Sequence, residues 1–167
     1  MDKETFDPCD FDLKFTATTP LSTPEPSEYV TEIQGRIMFD DLAQTGGVCA
    51  GCIKLILYDL ERALNDGQSP FEVFDCMSES AVEFYQQIYN GFELLQPALK
   101  AIGLEELLNP SLLVIEAIEL LPDYRGFGLG LAAVLKAMHV FGPAYGIAAL
   151  MAAPLELGVA EDVDQAS

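Results

Sequence analysis

Residues 112–130 read LLVIEAIELLPDYRGFGLG, and this stretch decides the fold. Its first nine residues are nearly all apolar and are β-branched in the middle, which predicts a central strand over residues 112–120. A proline turn and three alternate glycines, Gly126, Gly128 and Gly130, come next. Because glycine allows tight bends and lets bare backbone N–H groups approach a ligand, this turn is also a candidate binding site.

The residues after the glycines predict a helix over residues 129–141, which ends at Gly142 and Pro143. A further apolar run predicts a second buried strand over residues 147–153. Strand, turn, helix and strand form a βαβ unit, whose two strands are expected to be parallel. Charged residues, glycines and a proline interrupt the apolar stretch from 129 to 154, so no membrane span is expected there.

Upstream of this unit, the pattern predicts a β-hairpin followed by short helices. The hairpin strands cover residues 29–39 and 48–58, and a polar connection lies between them. The predicted helices cover residues 59–66, 70–76, 80–88 with a capping box from Ser80 to Glu83, and 92–108 with breaks. The fold class is therefore mixed α/β (α+β), with a mixed sheet flanked by helices.

The chain divides into three predicted segments. Residues 1–27 are rich in Pro, Thr and Ser and predict an irregular arm, in which residues 11–15 could pair at a sheet edge. Residues 28–156 form the folded domain, and residues 157–167 form an acidic tail. The N-terminus has neither the basic nor the apolar region of a signal peptide, so a cytoplasmic location is expected.

The charge of the chain is strongly acidic, with 8 Lys and Arg against 27 Asp and Glu and a net charge of −19. Half of the 167 residues are hydrophobic, which is enough for one domain with a sizeable core. Nucleic acid is not expected as a partner, because binding it requires clustered Lys and Arg. The acidic surface favours cationic partners or substrates, or else serves solubility alone.

Cys49 and Cys52 have the spacing of a redox motif or of half a zinc site. No second pair accompanies them, so no metal site is expected. Because residues 48–58 are predicted as a strand, the two thiols should point to opposite faces. The expected state of the cysteines is therefore the buried free thiol.

The glycine turn precedes a helix, whose first N–H groups and positive dipole end attract anions. Arg125 adds a positive charge in a chain that has eight Lys and Arg. Gly130 is followed by Leu131 rather than by Lys, which excludes a Walker A loop, and the glycine spacing also differs from the dinucleotide fingerprint. A turn with a purely structural role is the alternative.

Taken together, these residues resemble the GCN5-related N-acetyltransferase (GNAT) family. The family signature is Q/R-x-x-G-x-G/A between a strand and a helix, and Arg125, Gly128 and Gly130 match it. In the family, an apolar strand and the sequence Pro-x-Tyr-Arg-Gly commonly lead into this signature, and residues 120–126 match that form as well. The resemblance implies an acyl-CoA N-acyltransferase-like sheet. Only residues 155–167 follow, so the last helix and strands of that fold are expected to be missing or replaced, for example by a second subunit of a homodimer.

The resemblance also implies a site for an acyl donor, acetyl-CoA. In the family, backbone N–H groups of this loop bind the pyrophosphate and the preceding strand pairs with the pantetheine arm. The corresponding residues here are Ile118, Leu120, Arg125, Gly126, Phe127, Gly128, Leu129 and Gly130. The acyl group is expected to pass directly to an amine, and the acidic surface favours a small or peptidic cationic acceptor, such as a polyamine, an aminoglycoside or a Lys-bearing peptide.

Glu116 and Glu119 are the candidates for the catalytic base that deprotonates the amine. They lie in an otherwise apolar strand and, being three residues apart, are expected to face opposite sides. Relatives often carry a base at the position of Glu116. Two alternatives remain: Glu116 is only paired with a Lys or Arg, or the protein is a catalytically inactive, acidic, GNAT-like interaction protein that binds a basic partner.

Overall fold

The computed structural model describes residues 10–19, 25–39, 47–103 and 105–151. These residues form strands and α-helices joined by short connections, three of which contain a 3-10 turn. In chain order the elements are β1 (Phe11–Thr18), β2 (Val30–Phe39), β3 (Val48–Tyr58), α1 (Leu60–Asn65), α2 (Pro70–Asp75), α3 (Glu79–Ile88), β4 (Tyr89–Asn90), β5 (Glu93–Leu94), α4 (Gln96–Ala101), β6 (Leu112–Leu120), α5 (Leu129–Phe141) and β7 (Ile147–Leu150).

The main sheet has five strands in the order β1-β2-β3-β6-β7. The pairs β1–β2, β2–β3 and β3–β6 are antiparallel. The pair β6–β7 is parallel, and α5 connects its two strands. The fold is therefore mixed α/β with a mixed sheet flanked by helices, and the predicted hairpin and βαβ unit are confirmed. The edge pairing expected for residues 11–15 is also present, as β1.

Both faces of the sheet are covered. On one face, Ile53, Leu55 and Leu113 are buried with Ala137 of α5. On the other, Tyr58 stacks on Phe74 of α2 with ring centroids 4.2 Å apart, in a cluster that also holds Leu112, Val114 and residues of α1 and α3. An aromatic pair of this kind contributes about 0.5–1.5 kcal/mol beyond its area burial. The central strands β3 and β6 are thus fixed from both sides.

Two of the predicted helices differ from those observed. α3 begins at Glu79, and its cap is Ser78, whose Oγ accepts from the Ala81 N–H at 3.1 Å, rather than Ser80. The predicted helix over residues 92–108 is wrong except for α4. Gly91 and Phe92 instead form the turn of the β4–β5 hairpin, because Gly91 adopts a φ of +63° that a helix does not allow.

Two β-bulges interrupt the strand registers. Between β2 and β3 the register shifts at Ile37 and leaves Ala50 as the extra residue. Between β3 and β6, Lys54 lies opposite Ala117 and Leu55 lies opposite Ile115, so Glu116 is the extra residue. A bulge resets the alternation of side chains along a strand, and both bulges lie beside candidate site residues.

No helix in the described part of the chain is both long and apolar enough to cross a membrane. The predicted acidic tail, residues 157–167, and the first nine residues of the predicted arm lie outside the described residues.

Candidate functional site

The outer edge of β6 is paired with β7 over residues 112–115. These residues pair with residues 147–150 of β7, and the N–H of Met151, where the described residues end, donates to the Ile115 carbonyl at 3.0 Å. From Glu116 to Leu120, no strand among the described residues pairs with the outer edge of β6. We call this stretch the open edge of β6, and Glu116 is its first residue.

The open edge of β6 presents backbone groups of Ile118 and Leu120. Beyond the end of β6, the Leu121 N–H donates to the Ala50 carbonyl of β3 at 2.9 Å. Successive residues of a strand direct their backbone groups to opposite sides. The N–H and carbonyl groups of Ile118 and Leu120 therefore point away from β3, and of these groups the Leu120 carbonyl accepts from Nε of Arg125.

A groove of about 850 Å³ lies at the C-terminal end of β6. It is formed by three stretches: the start of β3, the end of β6 with the turn that follows, and the first turn of α5. The lining residues are Cys49, Gly51, Cys52, Ile118, Glu119, Leu120, Leu121, Pro122, Arg125 and Gly130. Ile118, Leu120, Arg125 and Gly130, all predicted to bind the donor, thus lie on one groove.

The glycine turn leaves the start of α5 without a side-chain cap. Gly126 and Gly128 have φ angles of +86° and +76°, a region that other residues rarely adopt. Gly128 is the N-cap of α5 and, having no side chain, cannot cap the first N–H groups of the helix. α1, α2 and α3 each carry a glutamate in the first turn, whereas α4 and α5 carry no acidic residue there. The dipole end of α5 therefore faces the turn without a carboxylate of its own.

Arg125 holds the turn against the strand. Its Nε donates to the Leu120 carbonyl at 2.8 Å, and the exposed side chain lines the groove. Gly130 brings the backbone of α5 close to the same strand, since a Cβ at this position would lie 3.7 Å from Cγ2 of Ile118. The strand end, the cation and the start of α5 are thus held within one small region.

Glu116 and Glu119 face the same side of the sheet, so the prediction that they face opposite sides is wrong. Glu116 Oε2 lies 3.6 Å from Nζ of Lys54, and Glu119 lies opposite Cys52 on β3. Lys54 and Cys52 are two residues apart on an unbulged part of β3 and therefore share a face. The extra residue at the second bulge accounts for the change, because it shifts the alternation by one position.

Glu116 is half-exposed, with 42% of its side chain accessible to solvent, so the apolar strand does not bury it. One alternative from the sequence was that Glu116 is paired with a Lys or Arg. The structure contains such a pair, and the partner is Lys54. Both side chains of the pair are exposed, and ion pairs of this kind contribute only about 0–1 kcal/mol. The carboxylate therefore keeps access to solvent and to a ligand.

Cys49 and Cys52 are free thiols that line the same groove, so the prediction that they point to opposite faces is wrong. The bulge at Ala50 lies between them and changes the alternation. Neither is buried: Cys49 is exposed and Cys52 is half-buried. Partial burial, together with the charge of Glu119, raises the pKa of the Cys52 thiol. The described residues contain no group of three or more metal-ligating side chains; Cys9 lies outside them.

A second, smaller pocket of about 180 Å³ lies beside Glu116, and the sequence did not predict it. It is enclosed by β3, β6, the start of α3 and the residue after β7. Its lining includes Ile56, Tyr58, Met77, Phe84, Val114 and Met151. Burial, and after it the nearby Cys76 and Glu116 side chains, raise the pKa of Tyr58 above that of an exposed tyrosine. No local pattern could reveal this pocket, because its walls come from segments far apart in the chain.

No protein-family model matches the chain, and no significant match was found among curated proteins or solved structures.

Proposed function

We propose that the protein is an acyl-CoA-dependent N-acyltransferase of the GNAT type that uses acetyl-CoA and transfers its acyl group directly to an amine. One observation carries the proposal. The open edge of β6, from Glu116 to Leu120, leads directly into a glycine turn whose helix N-terminus has no side-chain cap. A ligand with amide groups along a flexible arm and phosphates at its end fits this arrangement.

The residues present fit such a donor. The pyrophosphate would bind the backbone N–H groups of residues 126–130, where Phe127 and Leu129 contribute main-chain donors, and the charge of Arg125. The pantetheine arm would pair with the outward N–H and carbonyl groups of Ile118 and with the N–H of Leu120, in the manner of an added strand. The Leu120 carbonyl is already the acceptor of Arg125 Nε. The open edge from Glu116 to Leu120 is about 13 Å long at the usual rise of a strand. Bound acetyl-CoA would supply the activated thioester, and coenzyme A would leave as the thiol.

Glu116 is the residue proposed to accept the proton of the acceptor ammonium, directly or through one water. It is the first residue of the open edge of β6, and its carboxylate is accessible. Glu119 lies on the groove and on the same face as Glu116, where its charge would attract a cationic acceptor. Direct transfer needs no nucleophile on the protein.

The proposal is tested by calorimetric titration with acetyl-CoA, followed by an assay for thiol release with a panel of amines. Saturable binding and amine-dependent thiol release are expected. No binding of acetyl-CoA at millimolar concentration would overturn the proposal. Gly128→Asp is the informative variant, because it places a carboxylate at the N-cap of α5, where the pyrophosphate would lie, and should abolish binding.

A second candidate function is a catalytically inactive, acidic interaction protein. The ion pair between Lys54 and Glu116 favours it, because a carboxylate with a resident cation is less available as a base. In that case, Glu116→Gln and Gly128→Asp should both leave binding of a basic partner intact, whereas neutralising surface carboxylates should weaken it. Loss of function in Gly128→Asp would instead favour the acyltransferase.

A further inference from the structure

The pocket beside Glu116 has the size and the walls of a site for a small apolar group. Its volume is about 180 Å³, and an apolar cavity of about 150 Å³ is large enough to hold benzene. The side chains of Ile56, Met77, Phe84 and Met151 contribute hydrocarbon, aromatic and thioether surface to it. An aromatic ring or a short branched alkyl group would gain free energy by leaving water for this pocket.

Glu116 brings a carboxylate to the lining of the same pocket. Lys54 Nζ lies 3.6 Å from this carboxylate, at the long end of the range for an ion pair, and both side chains are largely exposed. A carboxylate accepts hydrogen bonds at several positions on its two oxygens, so one lysine does not exhaust its capacity. An ammonium group at the mouth of the pocket would therefore still find an anionic partner.

We infer that this pocket is the acceptor site and that it takes a primary amine with one apolar group of about the size of a phenyl ring. The apolar group would lie against Phe84 and Met151, and the ammonium would lie at Glu116. The inference rests on the proposed acyltransferase function and narrows its substrate class. Polyamines and aminoglycosides, which the net charge alone suggests, fit less well, because they would place additional polar groups against apolar walls.

The probe is phenethylamine. Its binding to the protein, in the absence of acetyl-CoA, is measured from chemical-shift changes in NMR spectra. The filling variant is Ser80→Leu, because Ser80 is exposed at the rim and its replacement leaves the core unchanged. The matched control is Gln87→Leu, since Gln87 is exposed on the same helix and does not line the pocket. Thermal unfolding of both variants verifies that they fold.

Phenethylamine is expected to shift resonances of residues that line the pocket, and Ser80→Leu is expected to weaken its binding at least tenfold. Gln87→Leu should leave the affinity unchanged, and Glu116→Gln should weaken it as well, because the ammonium loses its partner. The inference is overturned if spermidine binds more tightly than phenethylamine. It is also overturned if Ser80→Leu and Gln87→Leu have the same affinity as the unaltered protein.

Failure of this inference can be distinguished from failure of the proposed function, because acetyl-CoA binding is measured separately. If acetyl-CoA binds and amines release its thiol, but phenethylamine does not occupy the pocket, the acceptor assignment alone is overturned. If acetyl-CoA does not bind, the acyltransferase proposal and the acceptor role derived from it are both overturned, whatever the pocket binds.

Discussion

Cys52 and Glu119 lie opposite each other on β3 and β6. Partial burial raises the pKa of the thiol most, and the charge of the glutamate raises it further. We expect Glu119→Gln to lower that pKa. At a pH below the pKa a larger fraction of Cys52 would then be thiolate, the reactive form, and alkylation would be faster. Peptide-resolved mass spectrometry after a short iodoacetamide pulse measures the rate. Glu83→Gln, at an exposed position on α3, is the control, and equal rates in the two variants would contradict the assigned contact.

Glu116 is the residue on which the proposed proton transfer depends. Since general base catalysis typically contributes about 10²–10⁴-fold, Glu116→Gln should lower kcat by a factor in this range. Its affinity for acetyl-CoA should stay unchanged, because the carboxylate lies beyond the groove residues. Steady-state kinetics with the best acceptor of the panel, together with calorimetry, separates the two effects. A Glu116→Gln protein that keeps most of its kcat would exclude Glu116 as the base.

At the scale of elements, the first turn of α5 offers a substitution that tests the resemblance to the GNAT signature. A Cβ at Gly130 would make ordinary contacts with Ile118 and Leu120, and alanine is favoured over glycine in a helix by about 1 kcal/mol. Gly130→Ala should therefore fold at least as stably as the unaltered protein. It should bind acetyl-CoA with unchanged affinity, because the added methyl group faces β6 and the signature accepts alanine at this position.

Gly142→Ala is the matched control at the other end of α5. A Cβ there would meet no atom within 4 Å, and the backbone already has helical angles. This variant should also bind acetyl-CoA with unchanged affinity. If calorimetry shows that Gly130→Ala binds acetyl-CoA at least tenfold more weakly than Gly142→Ala, the start of α5 does not accept alanine as the signature does, and the resemblance at this position is contradicted.

The cap of α3 gives a prediction about stability. Ser78 Oγ accepts from the Ala81 N–H, so Ser78→Ala should lower the free energy of unfolding by about 1 kcal/mol. Ser80→Ala should have a much smaller effect, because Ser80 bonds to Ser78 rather than to the helix backbone. Urea unfolding of both variants measures the difference. A larger loss in Ser80→Ala would mean that the helix starts where the capping-box pattern places it.

The bounds of β3, β6 and α5 could be predicted from the sequence, because long apolar runs and flanking glycines and prolines fix them. The bulges at Ala50 and Glu116 could not, since an extra residue leaves no trace in the alternation of an apolar strand. The bulges determine where Cys52 and Glu119 point. The predicted orientations of Cys49 relative to Cys52 and of Glu116 relative to Glu119 were therefore wrong. The pocket beside Glu116 also escaped prediction, because its walls come from β3, β6, the start of α3 and the residue after β7, which are far apart in the sequence.

At the scale of the whole molecule, the net charge of −19 opposes folding through self-repulsion. Salt screens this repulsion, and the Debye length falls from about 30 Å at 0.01 M to about 10 Å at 0.1 M. The midpoint of thermal unfolding should therefore rise as NaCl is added over this range. Choline chloride at equal ionic strength serves as the control and should produce the same rise. A midpoint that falls with salt would mean that ion pairs such as Arg62 with Glu28 outweigh the repulsion.

The central claim is that acetyl-CoA binds along the open edge of β6 with its pyrophosphate at the glycine turn. A crystal structure of the protein with acetyl-CoA tests it most directly. We predict that the pyrophosphate accepts hydrogen bonds from backbone N–H groups of residues 126–130, and that the pantetheine arm runs past Leu120 and Ile118 toward Glu116. A groove that stays empty at millimolar acetyl-CoA, or a donor bound elsewhere on the protein, would contradict the claim.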